Sequence, residues 1–406
     1  MRHVVVVGGG ASGIVAAISA ARNGAKVTLI EHKDRVGKKL LSTGNGRCNL
    51  TNTYMNSECF RSDDISLVSK VLEKFGTHET ILFFEELGAF LKDRNGYVYP
   101  FSDQASTVLD VLRMELDRLH VSIAANQKVK NITKSKQQFT IKTDQECFVS
   151  DAVILATGGK AASVLGSDGS GYDLAKNFGH HISPVVPALV QLKCKGDYFK
   201  QISGVRTQAK VSLYVDQSLI SSDVGELQLT NYGISGIPVF QISRYAAKAL
   251  YEHKTVFAEL DFLPHIGEKE LEELIENRLQ KHGHKTAEDF MTGLLHKKLA
   301  TMLLKESKIP LHVVMNDVYV EKINYLIKLC KRFQVTVLDT NDFEQAQVCA
   351  GGVKTVEVHE TLESIYEENL YLIGELLDVD GICGGYNLQW AWATGFIAGE
   401  NAAKGK

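Results

Sequence analysis

The chain has 406 residues, room for two to three domains at about 150 residues each, and its 44% hydrophobic and 23% charged composition excludes a disordered or fibrous protein. With 45 Lys+Arg against 48 Asp+Glu the net charge is −3, so no global field draws the chain to nucleic acid or an anionic membrane. Seven scattered cysteines without a C-x-x-C exclude a zinc ribbon and a dithiol reductase, and they fit a reducing compartment.

In chain order, Val4–Val7 reads as a β-branched strand, Gly8–Gly13 as a turn, Ile14–Asn23 as a small-residue helix stopped by Gly24, and Val27–Ile30 as the next strand. Residues 4–21 carry no charge and follow Arg2 and His3, as a secretory leader would, but Gly8, Gly9, Gly10 and Gly13 break the apolar run. The expectation is therefore a soluble cytoplasmic protein. Phe139–Ile141, Phe148 and Ala152–Leu155 are strand-like and lead into Ala156-Thr157-Gly158-Gly159.

Beyond Pro184 and Pro187 the pattern changes. Val211, Leu213 and Val215 alternate before an Asp216-Gln217-Ser218 turn, a hairpin signal. Leu271, Leu274, Ile275 and Leu279 then recur at helical spacing, as do Leu294, Leu295, Leu299, Met302 and Leu303, and later Ile323, Leu326, Ile327, Cys330 and Phe333. Leu370–Ile373 is a strand, and a helix follows from about Leu388 to Ala403. This order predicts an α/β protein. One domain, 1–190 with 351–406, whose β-turn-α-β start is expected to be Rossmann-like on the glycine motif described next, is interrupted by a mainly β substrate or cap domain at 191–264 and 311–350, which carries a small helical subdomain at 265–310. Of 34 glycines, 23 fall in 1–50, 151–190 and 351–406, so three glycine-rich loops are expected to meet around one ligand.

Gly8-x-Gly10-x-x-Gly13 stands between a strand and a helix, where its glycines permit a tight turn, close approach to a pyrophosphate, and close packing of helix on strand. Glu31, beside His32 and Lys33, ends the second strand, where a carboxylate accepts from ribose hydroxyls and repels a 2′-phosphate. The pattern alone does not separate NAD from FAD. The segment Val36–Asn52 adds three glycines, Lys38, Lys39 and Arg47 for a pyrophosphate or an anionic flavin, and amides and hydroxyls suited to a ribityl chain.

These strings, together with Ala156–Gly159, Thr230-Asn231-Tyr232-Gly233-Ile234-Ser235-Gly236, Ala350–Val353 and Gly374–Asn387, resemble the BaiN-like family of bacterial FAD flavoproteins, often labelled NAD(FAD)-utilising dehydrogenases, over the whole chain. The resemblance implies an FAD-binding domain of the fumarate-reductase type, split around a substrate domain. It also implies the FAD contacts: Gly8, Gly10, Ala11, Ser12 and Gly13 at the pyrophosphate, Glu31 at the adenosine ribose, and Lys38, Lys39, Ser42, Thr43, Gly44, Asn45, Gly46 and Arg47 under pyrophosphate and flavin. Val129 falls where such folds touch adenine through the backbone, and Ala156, Thr157 and Gly158 match the second dinucleotide motif. Gly374 and Glu375 stand where many flavoproteins have Gly-Asp; Glu is longer, so Asp378 is a second candidate for that acid. Asn387 and Leu388 open the last helix, whose amides would face the flavin N1/O2 edge.

A second strand-placed G-x-G-x-x-G is missing, because Gly166, Gly169 and Gly171 have the wrong spacing. The expected reaction is hydride transfer through flavin N5 to or from an unsaturated or carbonyl-bearing small molecule, with NAD(P)H a candidate transient donor docked in the substrate cleft. Candidate cleft residues are Thr230, Asn231, Tyr232, Arg206, His180, His181 and Cys349. No catalytic acid or base and no metal site stands out. Two other classes compete: an RNA-linked flavoprotein, from Lys281, His282, His284, Lys285, His296, Lys297 and Lys298, and a flavin-holding regulator without turnover.

Overall fold

The computed structural model describes residues 1–405, which divide into two compact units, 1–185 with 347–405 and Val186–Ala346. The first unit is built on five parallel strands: β1 (His3–Val7), β2 (Lys26–Ile30), β3 (Ser122–Ala124), β4 (Ala152–Leu155) and β5 (Leu370–Leu372), in the order β5-β4-β1-β2-β3. β1 lies in the middle, and Val4, Val5 and Val6 are fully buried, which is why this strand is a continuous apolar run rather than an alternating one. Each such side chain contributes about 1.5–3 kcal/mol by leaving water.

The helix α1 (Ala11–Arg22) follows β1, and α2 (Tyr386–Lys404) lies against it. Glycine sets their separation. A Cβ added at Gly395 would fall 2.4 Å from the Ser12 carbonyl oxygen, and one at Gly399 2.3 Å from that of Ala16. In the first turn of α1 a Cβ on Gly13 would fall 1.9 Å from the Gly8 carbonyl oxygen, so helix, turn and strand close on one another only without a side chain there. Unit one also carries an antiparallel sheet of Val129–Ser135, Gln138–Thr143 and Cys147–Ser150.

The second unit is a closed antiparallel barrel of six strands. Around it run Leu192–Cys194, Gly233–Gly236, Ser218–Leu229, Arg206–Val215, Val256–Asp261 and Phe333–Thr340, which pairs back with Leu192–Cys194. The expected hairpin is present. Asp216 and Gln217 both take positive φ, 46° and 70°, the turn whose twist suits adjacent strands. Helices occupy Glu268–His282, Ala287–Phe290, Lys297–Glu306 and Val320–Lys331. The third apolar stripe, with Ile323, Leu326, Ile327 and Cys330 buried, is the helix its spacing predicts. The strand Phe333–Thr340 starts where that stripe ends.

The packing of α1 on α2 has a direct test. Gly399→Val forces branched carbons into the Ala16 carbonyl and should cost about 3 kcal/mol, seen as a lower urea midpoint of the purified protein, whereas Lys404→Ala on the exposed end of α2 should leave the midpoint unchanged.

Candidate cofactor site

Gly8 takes φ +107°, and a Cβ there would meet the Ala156 carbonyl oxygen at 2.4 Å, so the first glycine loop and the Ala156–Gly159 loop touch. Gly10 is the N-cap of α1 and receives no side-chain cap, and the first turn holds no acid. A Cβ on Gly10 would meet nothing within 4 Å. Unsatisfied amides, a positive helix end and open space beside a residue without a side chain are what a pyrophosphate needs. Ser12 and Gly13 are buried, and Ala11 is partly so.

Glu31 is buried. Its Oε2 accepts from the Gly9 amide at 2.7 Å and its Oε1 from the Lys33 amide at 2.7 Å, with His32 Nδ1 at 3.3 Å. The carboxylate therefore shapes its own loop, and each oxygen keeps lone-pair capacity for a ribose hydroxyl. Val129, at the edge of the antiparallel sheet, is buried and pairs with Thr143.

The segment after β2 forms a 3₁₀ turn, Leu40–Gly46, interrupted at Thr43, Gly44 and Asn45, the last two left-handed. Its hydroxyls turn inward: Ser42 Oγ donates to Lys39 O and Thr43 Oγ1 to Leu40 O. Gly44, Asn45, Gly46 and Arg47 are exposed. The two neighbouring lysines have different partners. Lys38 Nζ sits 2.5 Å from Asp34, and Lys39 Nζ lies 2.9 Å from Glu375 Oε2 and 3.4 Å from Ser167 Oγ.

Glu375 also accepts from the Cys349 amide at 2.8 Å, and Cys349 Sγ accepts from the Lys160 amide at 3.2 Å. One carboxylate so joins the loops at 39, 159–160, 349 and 375. Asp378 is fully buried and takes the Gly351 amide at 3.0 Å. The two acids thus act at different depths, Glu375 at the rim and Asp378 beneath it. Burial pushes the Cys349 thiol up to about 12, with the neighbouring Glu375 adding to the rise.

α2 holds this part of the site through side chains that spacing alone did not single out. The Gly374 amide donates to Thr394 Oγ1 at 3.0 Å, and its carbonyl accepts from Trp390 Nε1 at 3.0 Å. Trp392 Nε1 donates to Leu50 O at 3.0 Å. Gln389, fully buried, accepts from Thr51 and Thr80 hydroxyls at 2.6 and 2.9 Å and donates to Phe75 O at 3.0 Å. The signal for these residues was the run Gln-Trp-Ala-Trp on a buried helix, where polar tips require partners. Asn387 turns back onto Gly381 through two 2.8 Å bonds, so α2 begins at Gly385 with neither a side-chain cap nor an acid in its first turn; Leu388 packs on the core.

Of the other candidates, His180 is buried between Glu357 Oε2 at 3.2 Å and Ser364 Oγ at 2.8 Å. His181 Nδ1 lies 2.7 Å from the same carboxylate. Both belong to a structural network, and burial holds His180 below the usual histidine range. Arg206 pairs with Glu226 on the exposed barrel surface.

The residues fit FAD on the structure's own terms. Besides the open cradle at Gly10, Thr157 Oγ1 and Asn49 Oδ1 are buried without a hydrogen-bond partner, one beside each of the loops that the dinucleotide would follow. Among the described residues no helix is long and apolar enough to cross a membrane.

Two outcomes check this geometry. Glu31→Ala leaves the Gly9 and Lys33 amides unpaired and should weaken FAD binding about 10- to 100-fold, corresponding to one or two lost charge-assisted hydrogen bonds, in a titration of apoprotein. Burial also pushes the thiols of Cys48, Cys194 and Cys330 up to about 12, so with Cys349 they should stay silent to a thiol reagent at pH 8 until denaturant is added, while exposed Cys147 reacts at once.

Comparison with known proteins agrees with this architecture. The family described as HI0933-like protein Rossmann domain matches residues 2–401. The chain is 51% identical to the 3-dehydro-bile acid delta(4,6)-reductase of Clostridium scindens over 100% of both chains, and 27% identical to the ribosomal RNA dihydrouridine synthase of Haemophilus influenzae over 97% of this chain and 96% of that one. Among solved structures, a flavocytochrome c3 fumarate reductase aligns with 99% of this chain and 78% of its own at TM-score 0.50 and 16% identity, a likeness of fold. The parallel sheet with its uncapped helix, the split unit and these full-length matches make the chain a member of the HI0933-like family and an FAD-dependent oxidoreductase.

Proposed function

We propose that the chain reduces a carbon–carbon double bond conjugated to a carbonyl, on a fused-ring 3-oxo steroid acid of the bile-acid class, with NAD(P)H as the electron donor. The observation that carries this reading is the 51% identity to the bile-acid reductase across the whole of both chains. FAD bound to the first unit supplies a two-electron hydride donor at N5. The amides of Ala11, Ser12 and Gly13 bind its pyrophosphate, Glu31 the ribose, Val129 the adenine, and Lys39 with Ser42 through Arg47 the pyrophosphate and ribityl. Thr157 and Gly158 flank the dinucleotide, and Gly374, held by Thr394 and Trp390, sets its floor. The first turn of α2, through Asn387 and Leu388, offers positive potential to the flavin edge on which negative charge develops. Glu375 draws Lys39 onto the cofactor side of the loop while Asp378 holds the backbone behind it.

A second reading takes its support from the 27% identity to the ribosomal RNA enzyme, since uracil also presents a double bond conjugated to a carbonyl. The basic stretch that motivated an RNA partner favours it less. Glu268, Glu270, Glu272, Glu273 and Glu276 lie on the same helix as Lys281 and His282, and Lys297 is paired with Glu288 at 3.2 Å. A solvated helix face accounts for these charges.

Anaerobic mixing decides. NADH or NADPH should bleach the bound flavin, and a 3-oxo-4,6-diene steroid should restore its colour within one turnover while uridine-containing rRNA fragments do not. Restoration by the rRNA fragments alone would establish the second reading, and a flavin that neither nucleotide bleaches would remove NAD(P)H as the donor.

A further inference from the structure

One phenol in the first unit is buried with nothing to bond. Tyr172, 7% exposed, stands on the short helix Ser170–Lys176, and its Oη has no hydrogen-bond partner among the described residues. A buried hydroxyl left unpaired destabilises a fold, so native structures give almost every such group an acceptor, in the protein, in an ordered water or in a ligand.

The surroundings of this phenol are the cofactor loops themselves. A Cβ on Gly8 would fall 3.1 Å from Thr157 Cα, and one on Gly171 would fall 1.8 Å from Thr157 Oγ1, so the first glycine loop, Thr157 and the start of this helix pack one on the next. Thr157 Oγ1 is the neighbouring hydroxyl that is also buried and unpaired. The helix start is tied down. The Gly169 amide donates to the Gly159 carbonyl at 3.1 Å, the Ser170 amide and hydroxyl donate to Asp168 Oδ1 at 3.0 and 2.5 Å, and Asp168 Oδ2 accepts from Lys128 Nζ at 2.8 Å. On the other side stands the third glycine-rich region. Burial pushes the phenol well above its usual range, and the neighbouring Cys349, Glu375 and Asp378 add to the rise, so Tyr172 keeps its proton and stays a donor. It nevertheless donates to none of the three. Glu375 accepts from Lys39 and the Cys349 amide, and Asp378 from the Gly351 amide.

We propose that Tyr172 is an FAD-binding residue whose phenol donates to an oxygen of the cofactor's ribityl–diphosphate stretch. That stretch is lined with hydroxyl and phosphate oxygens, so it offers an acceptor along its whole length. A neutral donor also suits an anionic chain that passes close to carboxylates, because neither acid draws it away as a counter-ion, as Glu375 draws Lys39. The assignment concerns the cofactor alone and is independent of which substrate the flavin reduces. It has a consequence that a purely structural tyrosine lacks. Without FAD the hydroxyl is an unpaired buried group, and with FAD it is a bond, so removing it should move the two states in opposite directions.

Tyr172→Phe keeps the ring and takes away only the O–H. In the full-length chain stripped of FAD, the variant should have a thermal midpoint at or above that of wild type. Titrated with FAD and followed by flavin fluorescence, it should bind about 10- to 100-fold more weakly, the loss when one buried acceptor goes unpaired. Tyr198→Phe serves as the control: its phenol donates to the Lys195 carbonyl at 3.3 Å in the second unit, and FAD binding should not change. An unchanged FAD dissociation constant in Tyr172→Phe would overturn the proposal and give the phenol to a buried water. A lower midpoint of the FAD-free variant would overturn it too, by revealing a partner within the protein, as would equal weakening in Tyr198→Phe.

Discussion

The cofactor half of the molecule depends on the approach of α1 to α2 across Gly395 and Gly399. Without side chains at these two positions, the Ser12 and Ala16 carbonyls come close to the facing helix, and that distance places the Ser12 hydroxyl against Gly374. Gly374 takes φ +65°, and a Cβ there would fall 2.6 Å from Ser12 Oγ. It is then locked from the other side by Thr394 and Trp390. One glycine thus fastens the start of the chain to its end at the point where the first and third glycine-rich loops meet.

Much of this was legible in the sequence, and for physical reasons. The β1–α1 turn needs glycine at Gly8, Gly10 and Gly13 for three separate reasons, each visible as a gap or a would-be collision in the structure, so the pattern was specific. Strand, hairpin and helix signals along the chain rest on local periodicity, and those elements are present. The less legible part is contact between residues far apart. Lys39 meets Glu375 across 336 positions, and Trp392 meets Leu50 across 342. Nor does the sequence tell the neighbouring lysines apart, whereas the fold pairs Lys38 with Asp34 and Lys39 with Glu375. Likewise, the sequence alone does not show that one buried carboxylate, Glu357, holds the neighbouring candidates His180 and His181.

The bile-acid reductase and the ribosomal RNA enzyme differ in substrate but share a chemical demand. A 3-oxo-4,6-diene and a uracil ring each present a polarised double bond, and reducing either one needs a hydride at one carbon and a partner for the oxygen that gathers charge.

The interruption also sets an order of assembly. The second unit is one continuous stretch, Val186–Ala346, with local hairpins and helices, so all of its strands are available before the chain is complete. The first unit opens at residue 1 yet waits for β5 and α2, residues 370–404, to finish its sheet and to bring Gly395 against Ser12. At about 5–20 residues per second of synthesis, the β1–α1 element therefore stands for some tens of seconds without its helical partner. The Gly8–Gly13 turn accordingly has its full set of neighbours only once residues 370–404 have joined the sheet and the facing helix.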